Sequence, residues 1–188
     1  MAIAIGIMVC LNCCSSNYEK VENALADMTE HPVVLPLEKM QCRWREKDTV
    51  ITKPGAEFKM VIYIDSSGCS PCAIDRLYQW NNWIKSPEYN QDTLDFIFIV
   101  APKRDQLEDV RLTVDYCGLQ KPVFIDTTYV FRQINKYIPD NKRFHTFMLD
   151  RNDSIVVVGN PFENEQLENL IKRELQTKIA SLANDTTT

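Results

Sequence analysis

The sequence predicts an α/β fold: a central mixed sheet flanked by helices, with an N-terminal β extension. Three observations predict it. From residue 59 onward, short apolar runs rich in β-branched side chains alternate with stretches whose apolar residues recur at helical spacing. Such alternation implies parallel strands joined by right-handed crossovers. Near the carboxyl end, two strand-like runs flank Asp150-Arg151-Asn152-Asp153-Ser154, a hairpin loop that adds an antiparallel edge. Between the first strand and the first helix of this region stands Cys69-Ser70-Pro71-Cys72. It falls at the carboxyl end of a central strand, where open α/β sheets usually bind ligands.

In chain order, residues 1–11 (MAIAIGIMVCL) form an uncharged apolar run ending at Asn12-Cys13-Cys14-Ser15-Ser16. It falls short of the roughly 20 residues that span a bilayer but matches the apolar core of a secretory signal. A short buried strand or helix start is the other reading. Residues 17–27 contain a short helical pattern that reads as a tether, broken at His31-Pro32. Residues 33–35 before Pro36 read as an edge strand, and residues 42–45 and 49–51 as a small strand pair before Pro54-Gly55. Residues 60–64 are the first central strand, followed by a turn at 65–68 and a helix carrying Ile74, Leu77, Tyr78 and Ile84. Residues 94–100 (LDFIFIV) form a second strand buried on both faces. Residues 105–117 form a helix with Leu107, Val110, Val114 and Cys117 on one stripe and Gly118 as its stop. Residues 122–126 are a third strand, and Thr127 or Thr128 caps a helix carrying Val130, Phe131, Ile134 and Ile138. Strands at 146–149 and 155–158 make the hairpin, and residues 165–182 the last helix. The division expected is a signal segment at 1–14, a tether and β extension at 15–58, the main domain at 59–182 and a frayed tail at 183–188.

With 188 residues, 45% hydrophobic and 10% aromatic, the chain suits one well-buried domain plus appendages. A formal charge of −5 and the lack of any Lys/Arg cluster argue against nucleic acid as a partner.

The cysteine pair carries the chemistry. N–H groups without helical partners and the positive end of the helix dipole stabilise a thiolate on the first cysteine of such a motif. Pro71 suits the first turn, where its missing N–H would have no partner. A structural zinc needs four ligands, and the chain has neither a second Cys-x-x-Cys nor a His pair, only His31 and His145. Redox chemistry is the reading favoured. Asp75, three residues after Cys72, stands where it can exchange a proton with the thiol pair, or serve only as a solvated first-turn carboxylate. Cys117 reads as a buried structural thiol, and Cys42 has no assigned partner.

These residues resemble the thioredoxin superfamily, specifically the TlpA-like branch of membrane-tethered thiol–disulfide oxidoreductases, over residues 59–182. The resemblance rests on Cys69-Ser70-Pro71-Cys72, on the inserted strand and helix at 122–138, and on Thr146-Phe147-Met148-Leu149-Asp150. The branch commonly has Trp where this chain has Gly68, a cis-proline where it has Phe144, and thioredoxin's buried acid falls at Tyr63. The resemblance implies a thioredoxin-like fold and an enzyme that reduces protein disulfides. Cys69 would be its nucleophile, Cys72 its resolving thiol and Asp75 a proton carrier. It further implies substrate contact at Arg143 and Phe144, protein thiols and disulfides with a redox donor as partners, and no cofactor or metal.

The segment at 1–16 resembles a bacterial lipoprotein signal, with Cys14, or Cys13, as the lipidated residue. That implies anchoring to a membrane on its periplasmic side, where disulfides persist. Two alternatives stand beside the enzyme: a non-catalytic binding module with a static Cys69–Cys72 disulfide, and a metal carrier through Cys69, Cys72 and His145.

Overall fold

A computed structural model describes residues 11–51, 55–87 and 92–185. The chain runs α1 (Leu11–Glu30), β1 (Gln41–Trp44), β2 (Lys47–Thr49), β3 (Phe58–Ile64), α2 (Ser70–Ile74), α3 (Asn81–Ile84), β4 (Leu94–Val100), α4 (Leu107–Tyr116), β5 (Val123–Ile125), α5 (Val130–Ile134), β6 (Thr146–Leu149), β7 (Ile155–Val158) and α6 (Glu165–Asp185). The strands form one sheet in the order β2-β1-β5-β4-β3-β6-β7. β3, β4 and β5 are parallel, while β6 and β7 continue antiparallel on one side and β1 and β2 on the other. This is the mixed α/β sheet with a β extension that the residue patterns predict.

Side chains alternate across the sheet, and both faces are covered. Met60, Ile62, Phe96, Phe98 and Val100 meet Ile74, Leu77, Val110, Ile171 and Leu175 on one face. Val61, Tyr63, Ile97, Ile99 and Phe147 meet Met28, Leu35, Phe131 and Ile138 on the other. Burial on both faces is why the two central strands read as continuous apolar runs. Gly118, at φ +74°, takes the left-handed conformation that ends α4 as expected.

Several expectations need correction. Residues 18–30, expected within a tether, belong to a packed helix. Val21, Leu25 and Met28 recur at i, i+4 and i+7, and Met28 is fully buried against the second core layer. Residues 33–35 form no ladder; the Val33 N–H donates to the Asp153 carbonyl at 2.8 Å, and Val34 is held by a side chain. The small strand pair forms, but at 41–44 and 47–49 rather than 42–45 and 49–51, because Arg45 is taken into the turn. Its two-residue turn is built from Arg45 and Glu46 at φ 51° and 63°, the positive-φ pair such hairpins need, without the usual Asn-Gly.

The helix after the cysteines is not continuous. It breaks into α2, a 3₁₀ turn at Leu77–Trp80, and α3. Ile74, Leu77, Trp80 and Trp83 are all buried, a strict spacing of three that a 3₁₀ turn keeps on one side and an α-helix does not. Tyr78, expected on the apolar stripe, is exposed.

The cap of α5 is neither Thr127 nor Thr128 but the buried Asp126. Its Oδ1 accepts from the Val130 N–H at 3.0 Å and its Oδ2 from the Phe131 N–H at 2.9 Å. The last helix runs on to Asp185, beyond the expected 182. Of the expected signal segment, residues 1–10 lie outside the described residues, while Cys13 and Cys14 stand in α1. Among the described residues no helix is long and apolar enough to cross a membrane.

Candidate functional site

The site grows from the end of β3. Beyond Ile64 the Asp65 carboxylate folds the chain back, its Oδ1 accepting from the Ser67 N–H at 3.1 Å and the Ser67 hydroxyl at 2.8 Å. That turn delivers Gly68 and then Cys69, whose extended backbone makes it the N-cap of α2. The Cys69 Sγ accepts from the Cys72 N–H at 3.2 Å, so one of the helix's open donors is spent on this sulfur. Cys69 and Cys72 are joined as a disulfide, with Cα atoms 5.3 Å apart. Both residues are exposed, while Ser70 between them is buried. Because α2 has five residues, the local N–H groups matter here more than the dipole of a long helix.

Beside the disulfide lies a cavity of about 480 Å³, between the end of β3, the 3₁₀ turn Lys142–Phe144 and the turn Pro161–Glu163. Cys69, Arg76, Trp80, Lys142, His145 and Phe162 are among the residues that border it. Trp80 and Phe162 meet edge-to-face at 4.8 Å and make an aromatic wall.

His145 sits at the base of the cavity. Its Nε2–H donates to the Pro139 carbonyl at 2.9 Å, and its ring lies edge-on to Tyr63 at 5.1 Å. Burial holds its pKa below the ordinary 6.5, so the ring is neutral at pH 7. His145 does not group with the two cysteines as a metal set. Among the described residues the one cluster of three potential ligands is the exposed Asp27, Glu30 and His31, well removed in sequence from the disulfide.

The other residues singled out from the sequence fall as follows. Asp75 is exposed at the C-cap of α2, its N–H bonded to the Pro71 carbonyl, and it does not border the cavity. The Arg143 side chain is exposed and also lies off the cavity, while the Phe144 side chain turns into the core. From this turn the cavity receives Lys142 and His145 instead, because the 3₁₀ turn spends Phe144 on packing. Cys42 and Cys117 are buried thiols, one in each core layer. Burial, aided by Asp48, pushes the Cys42 thiol up to about 11, and burial raises Cys117 likewise. Sequence reading missed Lys142, Arg76 and the Trp80–Phe162 wall. Of these only Lys142 has a trace in the sequence, the glycine at position 68 that it rests against.

No protein-family model matches the chain, and no curated protein matches it. Solved structures do. A thioredoxin-like protein in its oxidized form is 17% identical over 65% of this chain and 80% of its own, with a TM-score of 0.45. An uncharacterized thioredoxin-like protein from Porphyromonas gingivalis is 17% identical over 73% and 89%, with a TM-score of 0.45. The bacterioferritin comigratory protein of Xanthomonas campestris is 11% identical over 81% and 94%, with a TM-score of 0.46. By its own strand order, and by the place of its cysteine pair at the end of the central strand, this chain has a thioredoxin-like fold.

Proposed function

We propose that this protein is a thiol–disulfide oxidoreductase acting through Cys69 and Cys72, of the TlpA-like kind and directed at protein disulfides. One observation carries the reading: an exposed Cys69–Cys72 disulfide at the end of β3, opening on a cavity with an aromatic wall. In the reducing direction the Cys69 thiolate attacks one sulfur of a substrate disulfide, and one substrate thiolate leaves. The Cys72 thiolate then attacks Cys69 Sγ, the mixed disulfide breaks, and the second substrate thiolate leaves. Two electrons pass to the substrate, and the protein ends as the disulfide seen here. A dithiol donor restores it by the same exchange run backwards. Asp75 does not border the cavity, so the protons pass to and from solvent and Asp75 has a secondary role. Arg143 and Phe144 would offer substrate their backbone rather than their side chains.

The proposal includes lipid anchoring at Cys14, or Cys13, on the periplasmic side of a bacterial membrane, supported by the apolar run and the cysteines that follow it. Helical backbone rises about 1.5 Å per residue. Between Cys14 and Val21, which packs against the core, that gives roughly 10 Å, so an anchored domain would sit close to the lipid surface.

The test is the reduction potential of the pair in the full chain, by redox-buffer titration with alkylation and peptide mapping. A value between about −120 and −270 mV, the span of working oxidoreductases, is expected. A pair that stays oxidised below about −300 mV would be a structural disulfide. The binding-module reading would then replace this one. Lipidation is tested separately by incorporation of labelled fatty acid, lost in Cys14→Ser if that residue carries the anchor.

A further inference from the structure

Gly68 has no backbone reason to be glycine: its φ is not among the positive values, which fall at Gly118 and Gly159. What the missing side chain leaves room for is a cation. A Cβ at position 68 would lie 2.6 Å from the Nζ of Lys142. The ammonium thus rests against the residue that precedes Cys69, and both Lys142 and Cys69 border the cavity. Its root is firmly held. The Lys142 carbonyl accepts from the His145 N–H at 3.0 Å, and the His145 carbonyl accepts from the Tyr63 N–H of β3 at 2.8 Å. Asn141 caps the turn through the Arg143 N–H at 3.2 Å. The strand that delivers the cysteines therefore also fixes the lysine. Among the described residues no carboxylate lies within ion-pair distance of the Lys142 ammonium.

We propose that Lys142 is the cation that stabilises the Cys69 thiolate when the disulfide opens, and that Gly68 leaves the room the ammonium needs to reach it. The proposal deepens the redox reading of the same site and rests on it for its relevance to turnover. An adjacent cation favours the charged form of a thiol, by about one to three pKa units for close partners and least for exposed ones. The other charged or titratable groups facing the cavity are Asp65, Arg76, Glu163, His145 and Tyr63. Asp65, whose Oδ1 accepts from the two Ser67 donors, opposes the lysine, and His145 is neutral at pH 7. Arg76 adds to the lysine and Glu163 opposes it.

The experiment measures the alkylation rate of Cys69 against pH in the fully reduced, full-length protein, with peptide mapping to separate it from the other cysteines. Lys142→Met should raise the apparent Cys69 pKa by about one unit, roughly a tenfold loss of thiolate below that pKa. Lys142→Arg should restore it. Gly68→Ala, which displaces only the flexible lysine tip, should shift the pKa in the same direction. The double variant Gly68→Ala with Lys142→Met should shift it no further than Lys142→Met alone. Removing the cation destabilises the reduced form, so the pair's potential should fall by up to about 30 mV for a tenfold change. Identical profiles for Lys142→Met and the parent, or additive effects of the two substitutions, would overturn the proposal. A pKa shift in a pair whose potential marks it as a structural disulfide would uphold the lysine's role and overturn the redox function instead.

Discussion

Asn135 clasps Val34 across the fold: its Oδ1 accepts from the Val34 N–H and its Nδ2 donates to the Val34 carbonyl, both at 2.9 Å. A side-chain amide thus does for one residue what a neighbouring strand would do, and Asn135 is itself fully buried. Its Nδ2 also donates to the Phe131 carbonyl, and its Oδ1 accepts from the Tyr137 hydroxyl. Asn135→Ala would leave the Val34 groups unpaired, at a cost of about 2–4 kcal/mol. Urea denaturation should show a lower midpoint with an unchanged slope, while the potential of the Cys69–Cys72 pair stays put. A midpoint equal to the parent's would mean that the Asn135 clasp contributes nothing to the fold.

Asp126 organises the start of α5 in a similar way, accepting from two backbone N–H groups of that helix while wholly buried. Asp126→Ala should destabilise the protein by about 3 kcal/mol, since buried donors lose their acceptor as well as their cap. Thr127→Ala should have little effect. The reverse order of the two would return the cap to threonine.

Exchange through Cys69 and Cys72 predicts different failures for the two sulfurs. Cys69→Ser should abolish disulfide reduction, whereas Cys72→Ser should accumulate a mixed disulfide with substrate, visible as a mass adduct removed by dithiol. Asp75→Asn should leave the pH–rate profile unchanged. An adduct on Cys72 in a Cys69→Ser protein would reverse the assignment of nucleophile.

The buried thiols should behave differently from the pair. With Cys42 raised to about 11 and Cys117 raised too, both should resist alkylation in the native reduced protein at pH 8. Mass mapping should find Cys69 and Cys72 labelled within minutes and the buried two only on unfolding. Labelling of Cys117 at the rate of Cys69 would mean that α4 opens locally.

His145 gives stability a pH dependence. Desolvation depresses its pKa in the folded state below the ordinary 6.5, so the unfolded chain takes up the proton first as pH falls. Stability from this residue is therefore full above pH 6.5 and is lost as pH drops through 6.5 toward the lower folded value. His145→Gln should flatten the unfolding free energy between about pH 7 and 5 relative to the parent. A parent curve already flat there would remove the histidine from the account.

The α/β class, the strands at the centre of the sheet, the terminal hairpin and the cysteine pair at the end of β3 are legible in the residues alone. Each rests on a local period or a short motif: LDFIFIV is apolar throughout because both its faces are covered, and Gly118 ends α4 because it alone takes φ +74° without strain. What tertiary structure decided depends on residues far apart in the chain. The spacing of three from Ile74 to Trp83 broke the expected helix because the core face demanded it. Residues 18–30 became a packed helix because the second face of the sheet needed a cover. Phe144 went into the core and Lys142 came to the cavity because a 3₁₀ turn tied to β3 set their directions. The meeting of Gly68 with Lys142, 74 positions along the chain, has no local signature beyond the glycine itself. Only the folded sheet brings the two together.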